Sequence, residues 1–132
     1  MTNGILCTTD FSDSSKEALK LSINLAKKLD SHLTILFTYR LFKQNMELIA
    51  MKRKIEDEAA KNFNALEKEL LAGKGISYDF KTEIGFVDDR IEDHAKKNKT
   101  SFLVMDRNTN TKNKETFDEL VAQLRIPLIL VP

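Results

Sequence analysis

The sequence predicts an α/β fold, a three-layer sandwich in which a five-stranded parallel sheet carries helices on both faces. Short apolar runs alternate with amphipathic stretches in the order βαβαβαβαβ, which is typical of a mostly parallel sheet. The 132 residues are 42% hydrophobic and 31% charged, enough apolar material for a core and too much for a disordered chain. Length and the scarcity of Gly and Pro indicate one globular domain over residues 1–132.

The chain begins with a strand and a helix. Residues 5–8 form a short apolar run that predicts a buried strand. Ser14 and Glu17 then have the spacing of a capping box, in which each side chain bonds a free backbone N–H. We therefore expect a helix from about Ser15 to Leu29.

The second unit is a strand and a long helix. Residues 32–39 are rich in β-branched and aromatic side chains, as strands are. Residues 43–72 lack Gly and Pro and predict one helix. Its first part, over residues 42–51, is less regular and is either helix or a flap over the site. One buried stripe contains Ala59, Phe63, Leu66 and Leu70.

The rest of the chain supplies three strands and two helices. Residues 76–84 alternate between apolar and polar and predict an edge strand with one solvated face. Asp88 and Asp89 suit the first turn of a helix, where the dipole favours negative charge. Residues 101–105 predict a strand, residues 106–114 a polar loop, and a helical stripe then runs to Pro127 before the last strand.

Composition excludes several classes of function. Lys and Arg number 21 against 20 Asp and Glu, so no net charge attracts nucleic acid or an anionic membrane. No run approaches the roughly 20 apolar residues that span a bilayer, and residues 1–15 have no basic region followed by a long apolar run, so we expect no secretory signal. With one cysteine, neither an intrachain disulfide nor a cysteine-rich zinc site can form. We expect a cytoplasmic protein.

Few single residues suggest chemistry. Cys7 lies in an apolar run and is expected to be a small buried hydrophobe. His32 and His94 have no partner at metal-ligand spacing, so we expect no metal. Asp10 follows a central strand, where it either accepts hydrogen bonds from a ligand or bonds the loop backbone. Ligands of parallel sheets bind at such carboxyl ends, which directs attention to residues 8–12, 37–40 and 105–114.

Two stretches of the sequence resemble the universal stress protein family. The first, residues 5–36, has a strand ending in Asp10-Phe11-Ser12, a helix carrying Ala18-Leu19, and a Leu-Thr-Ile-Leu strand. The second, residues 83–131, has Gly85, Ile91 and Ala95 before the fourth strand, then Ile126 to Val131. The resemblance implies strand order 3-2-1-4-5, a homodimer, and a role in stress survival rather than a defined metabolic reaction.

Some members of that family bind ATP through an Asp after the first strand and a G-x-x-G-x9-G-[ST] pattern after the fourth. Here Asp106 and Thr109 replace the first two glycines, and the loop is about five residues shorter by alignment on Pro127. Glycines let backbone N–H groups curl around phosphate. A carboxylate about 4 Å from phosphate costs about 4 kcal/mol at an effective dielectric near 20. Other residues of the loop partly offset these two losses, because Asn tolerates positive φ and basic side chains attract phosphate. They are Arg107, Asn108, Asn110, Lys112, Asn113 and Lys114.

Two function classes follow. The first is a non-catalytic stress-response protein, a dimeric module for an unknown protein partner, with no cofactor and no tight ATP binding. The second is a nucleotide-binding sensor for ATP or AMP. Its candidate binding residues are Thr9, Asp10, Thr38, Met105, Asp106 and Thr109.

The last strand predicts how the dimer forms. In the implied strand order it lies at the edge of the sheet, and an uncovered apolar edge promotes aggregation. Pairing of two such edges across a twofold axis removes that hazard. We therefore predict a homodimer through Leu128, Ile129, Leu130 and Val131.

Overall fold

A computed structural model describes residues 4–42, 47–109, 111 and 114–132 of the chain. Strands and helices alternate along it, as the sequence predicts. The elements are β1 (Gly4–Thr8), α1 (Asp13–Leu29), β2 (Leu33–Tyr39), α2 (Glu47–Leu66), β3 (Tyr78–Ile84), α3 (Val87–Lys97), β4 (Thr100–Asp106), α4 (Lys114–Leu124) and β5 (Leu128–Val131).

All five strands form one parallel sheet in the order β3-β2-β1-β4-β5, which confirms the predicted fold class and strand order. Cys7 in the central strand lies beside Ile35 of β2 and Val104 of β4. The predicted edge strand, β3, pairs with β2 alone among the described residues, and six of its seven residues are half-buried.

Alternation along the strands divides the core between the two faces of the sheet. Ile5 and Cys7 pack with α1 and with Phe63 of α2. Leu6, between them, packs on the opposite face with Ile91 of α3 and Phe117 of α4. This period of two decides which side chains can meet at the end of each strand.

The predicted start of the first helix is wrong by two residues. The helix begins at Asp13, and its N-cap is Ser12, whose hydroxyl accepts a hydrogen bond from the Ser15 N–H at 3.2 Å. Ser12 has the extended backbone of a cap residue, with φ −73° and ψ 164°. Ser14 already lies inside the helix, so the capping-box spacing with Glu17 was coincidental.

The predicted long helix ends in a wider turn. α2 is followed by a π-helical turn at Glu67–Leu71, and the Ala72 N–H bonds the Glu67 carbonyl at 2.8 Å. A π turn adds one residue and shifts the buried stripe. Leu71 is therefore buried, while the predicted Leu70 is only half-buried.

Other boundaries differ slightly from those predicted. β3 begins at Tyr78, two residues later than the sequence predicts, and β4 continues through Asp106, which the sequence places in the following loop. Asn110, Lys112 and Asn113 of that loop, and residues 43–46 of the predicted helix or flap, lie outside the described residues. Within the described ranges, no helix is long and apolar enough to cross a membrane.

Candidate binding cleft at the carboxyl ends of the strands

A cleft of about 480 Å³ opens where β1 and β2 end. Its floor is made by Thr8 and Leu36, which lie side by side in the sheet. Its walls come from the turns after β1, β2 and β3 and from the loop after β4. Those wall residues include Thr9, Asp10, Thr38, Arg40, Phe42, Gly85, Phe86, Thr109 and Thr111.

The structure brings together four of the six residues predicted to bind nucleotide. Thr9, Asp10, Thr38 and Thr109 line the cleft. Met105 is 1% exposed in the core beneath, and Asp106 is 2% exposed and lies outside the lining. Asp106 misses the cleft because side chains alternate between the two faces of a strand. Asp106 projects from the same face of the sheet as Val104, which packs against α1, whereas the cleft floor lies on the face covered by α3.

The turn after β1 is built around Asp10. Its carboxylate accepts hydrogen bonds from the Ser12 N–H at 2.9 Å and from the Ser12 hydroxyl. The Thr9 hydroxyl oxygen accepts the Phe11 N–H at 3.1 Å. Phe11 has φ 66°, a conformation that costs energy for a bulky residue, and packing of its ring against Phe37 at 5.2 Å holds it there.

Asp10 faces the cleft as a carboxylate. Burial by itself raises its pKa, but the hydrogen bonds from the Ser12 hydroxyl and N–H, with further bonds, together lower it below the ordinary value. The side chain is exposed. At neutral pH it therefore presents a negative, acceptor-only group to any ligand.

The turn after β4 uses its own backbone N–H groups. The Asp106 carboxylate accepts the Asn108 N–H and, at 3.3 Å, the Ser14 hydroxyl of α1. The Arg107 N–H bonds the Val131 carbonyl at 2.9 Å, and the Thr109 N–H bonds the Asp106 carbonyl at 3.1 Å. Three consecutive N–H groups are therefore satisfied within the protein, so none of them is free to bind a phosphate.

One buried hydroxyl among the described residues of the cleft lining lacks a hydrogen-bond partner. Thr8 is 4% exposed, and its hydroxyl forms no hydrogen bond to any part of the chain that the structure describes. A buried hydroxyl without a partner is costly. Because Thr8 lines the floor, a ligand in the cleft can supply that partner.

The sequence does not predict the positive charge of the cleft, which belongs to Arg40. The Arg40 guanidinium carbon lies 4.3 Å from the centre of the Phe86 ring and 4.9 Å from that of Phe42. Arg40 falls within residues 37–40, a segment the sequence does single out. Nothing in the pattern points to Phe86, which approaches only because the Gly85 N–H bonds the Tyr39 carbonyl at 2.8 Å.

The family model for universal stress proteins matches residues 1–132, the whole chain. The chain belongs to the universal stress protein family. No curated protein sequence matches it.

Solved structures of other universal stress proteins share the fold. UspA from Lactobacillus plantarum has 18% identity and a TM-score of 0.74, with 98% of this chain and 97% of that chain covered. A universal stress protein described in complex with cAMP has 17% identity and a TM-score of 0.67, covering 98% and 97%. One from Archaeoglobus fulgidus, in complex with dAMP, has 13% identity and a TM-score of 0.67, covering 98% of each chain.

This universal stress protein has a second polar cluster, at the other end of β2 and β3. The His32 ring contacts the Ser77 hydroxyl through Nδ1 and the Asp79 carboxylate through Nε2, each at 2.6 Å. The Thr34 hydroxyl also donates to Asp79, at 2.8 Å. None of the three residues Ser77, His32 and Asp79 lines the cleft, and among the described residues no group of three His, Cys, Asp or Glu could hold a metal ion.

His94 and Cys7, the other two residues considered for chemistry, lie away from the cleft lining. His94 lies 3.1 Å from the Lys81 ammonium; partial burial first, and then that positive charge, lower its pKa. Cys7 is fully buried, as predicted, and burial raises its pKa to about 12. A thiol in that environment is not a nucleophile near neutral pH.

Proposed function

We propose that this protein is a non-catalytic cytoplasmic member of the stress response whose cleft binds a nucleoside-sized ligand without retaining ATP. The cleft volume of about 480 Å³ falls within the range of small-molecule sites. Its described lining contains one carboxylate, one guanidinium and several hydroxyls, but no pairing of a nucleophile with a base. That composition supports binding rather than chemistry.

The observation that carries the proposal is the turn after β4. The N–H groups of Arg107, Asn108 and Thr109 all bond acceptors of the protein itself. A polyphosphate needs several free N–H groups converging on it. Opening this turn to create them would break the hydrogen bonds of the buried Asp106 carboxylate, which opposes triphosphate binding.

Binding of a nucleoside has separate support. Asp10 offers acceptors suited to ribose hydroxyls, and the Thr8 hydroxyl lacks a partner in the described chain. Two solved relatives are described in complex with dAMP and cAMP, which carry one phosphate each. These three observations favour a small nucleoside ligand over a retained triphosphate.

Titration calorimetry with adenosine and with Mg-ATP tests this function. We expect adenosine to bind weakly and ATP to bind with a Kd above about 10 μM, weaker than about −7 kcal/mol. Asp10→Asn should weaken adenosine binding, whereas Asp118→Asn, an exposed carboxylate on α4, should not. ATP binding below 10 μM, or no adenosine binding at millimolar concentration, would contradict the proposal.

We also propose that the active form is a homodimer joined through β5, the module that meets a protein partner. β5 lies at the sheet edge, and within the described residues only β4 pairs with it. Leu130 is 53% exposed, whereas Leu128, Ile129 and Val131 are half-buried. An apolar edge of this kind is stabilised when it pairs with a second copy.

Light scattering after size exclusion tests the dimer. We expect a dimer at micromolar concentration for the wild type and a monomer for Leu130→Lys. Ile49→Lys is the matched control, because Ile49 is also an exposed aliphatic residue, 70% exposed, but lies on α2. A monomeric wild type, or equal effects of the two substitutions, would rule out this interface.

A further inference from the structure

A second concave surface lies at the opposite end of the sheet from the cleft, where α3 leads into β4. This amino-end groove has a volume of about 390 Å³, within the range of ligand sites. Its floor is aliphatic and half-buried, and its rim consists of exposed lysines. The floor residues are Ala95, Leu124 and Ile126, and the rim residues are Lys96, Lys97 and Lys99.

Most of the positive charge on the rim is unpaired. Lys96 bonds Glu92 of its own helix at 2.7 Å, but Lys97 and Lys99 form no ion pair within the described chain. The described lining contains no acidic residue. The helix dipole explains lysines in the last turn of α3, but Lys99 lies beyond the end of that helix. The groove therefore presents a positive rim that attracts a negatively charged partner.

The turn that carries the lysines is held in place by its own backbone. The Asn98 N–H and side-chain amide both bond the His94 carbonyl, at 2.9 and 3.1 Å. The Lys99 carbonyl accepts the Gly4 N–H at 2.9 Å. Because these groups are committed to the fold, the lysine ammonium groups are the polar groups left for a partner. A surface that is already ordered loses little conformational entropy on binding.

We propose that the amino-end groove docks an acidic segment of another protein. An aliphatic side chain of that segment packs on Leu124 and Ile126, and carboxylates on either side of it pair with Lys97 and Lys99. The inference rests on the proposed role as a module for a protein partner, and it names the surface and the chemistry of that partner.

The aliphatic floor favours a protein over other anionic partners. Single-stranded nucleic acid stacks its bases on aromatic side chains, and the described lining contains none. Anionic membranes are bound by larger clusters of basic residues than two unpaired lysines. A peptide supplies both an aliphatic side chain and carboxylates within a few residues, which matches the composition of the groove.

Fluorescence anisotropy with the full chain tests the groove. The probe is a fluorescein-labelled peptide of twelve residues in which single leucines alternate with pairs of glutamates. We expect a Kd of about 10–100 μM at low salt, and weaker binding as salt screens the charges. Replacing every glutamate by glutamine should weaken binding at least tenfold, and replacing every leucine by serine at least threefold.

Charge reversal locates the binding surface. Lys97→Glu with Lys99→Glu should weaken peptide binding at least tenfold. Lys54→Glu with Lys61→Glu is the matched control, because both are exposed lysines of α2 outside the groove lining, and the net charge changes equally. The control should bind within twofold of the wild type, and urea unfolding checks that both variants are folded. In the wild type, carbodiimide cross-linking should join the peptide carboxylates to Lys97 or Lys99.

The outcomes separate this inference from the function on which it rests. Absence of peptide binding at millimolar concentration, equal losses in the two charge-reversal variants, or cross-links only at other lysines would overturn the groove. Tighter binding of a single-stranded oligonucleotide or of phosphatidylserine vesicles would overturn the choice of a protein partner. A dimeric wild type that ignores the peptide would overturn this inference alone, whereas a monomer that binds it would overturn the β5 dimer alone.

Discussion

The turns after β1 and β4 are built alike and end in opposite environments. In each, an aspartate carboxylate accepts the N–H two residues further on: Asp10 from Ser12, and Asp106 from Asn108. Asp10 is exposed and lines the cleft, whereas Asp106 is 2% exposed beneath α1. The comparison shows that the hydrogen bonds of the turn do not determine whether an aspartate reaches the cleft. The face of the sheet onto which the aspartate projects determines it.

The largest expected effect is a difference in the free energy of unfolding between variants of the two aspartates. Asp106→Ala removes a buried acceptor and leaves the Asn108 N–H and the Ser14 hydroxyl without it, so we expect a loss of about 2–3 kcal/mol. Asp10→Ala, at an exposed site, should cost under about 1 kcal/mol. Urea unfolding at pH 7 measures both, and equal losses would mean that the two turns are not distinct.

Ser12 and Ser14, which contact Asp10 and Asp106 respectively, should also differ in how much they stabilise the fold. Ser12→Ala removes the N-cap of α1 and should cost about 1 kcal/mol. Ser14→Ala loses a long hydrogen bond of 3.3 Å to Asp106 and a hydrogen bond of 3.1 Å with the Ser12 hydroxyl, but no backbone cap, and should cost about half as much. Thermal and urea unfolding give the comparison, and a larger loss for Ser14→Ala would restore the capping box that the sequence predicts.

A substitution at Thr8 tests whether the cleft at the end of β1 binds a ligand. Thr8→Val replaces a buried hydroxyl that has no partner in the described chain, so the free protein should gain up to about 1 kcal/mol of stability. The same change should weaken adenosine binding in calorimetry. A destabilised variant that binds adenosine normally would show that the hydroxyl serves the fold instead.

The smallest effect concerns pH and comes from the opposite end of the sheet. Burial and the Lys81 charge lower the pKa of His94 in the folded state, so the unfolded chain takes up the proton first. Stability should therefore fall as pH drops through the ordinary value of 6.5 toward the folded pKa. Urea unfolding at pH 7.5 and 5.5 should show a smaller difference for His94→Gln than for the wild type; an unchanged difference would assign the effect to another group.

The amino-acid order alone is enough to predict the layered sheet. The alternation of apolar runs with helical stripes requires parallel strands connected by helices, and Leu128–Val131 is a strand with the bounds predicted. Helix ends were less predictable, because Ser12 and Ser14 both suit a cap and only backbone geometry selects Ser12. The π turn after α2 likewise leaves no sign in a stripe of period 3.6.

The candidate site was predictable only in part, for a physical reason. Residues at the carboxyl ends of strands share one edge of the sheet, so the sequence alone identifies Thr9, Asp10 and Thr38. Strand register and the period of two decided the rest: they direct Asp106 under α1 and bring Phe86, which follows β3, against Arg40, which follows β2. Contacts between residues 46 positions apart in the chain depend on pairing, and pairing is settled only when the whole sheet forms.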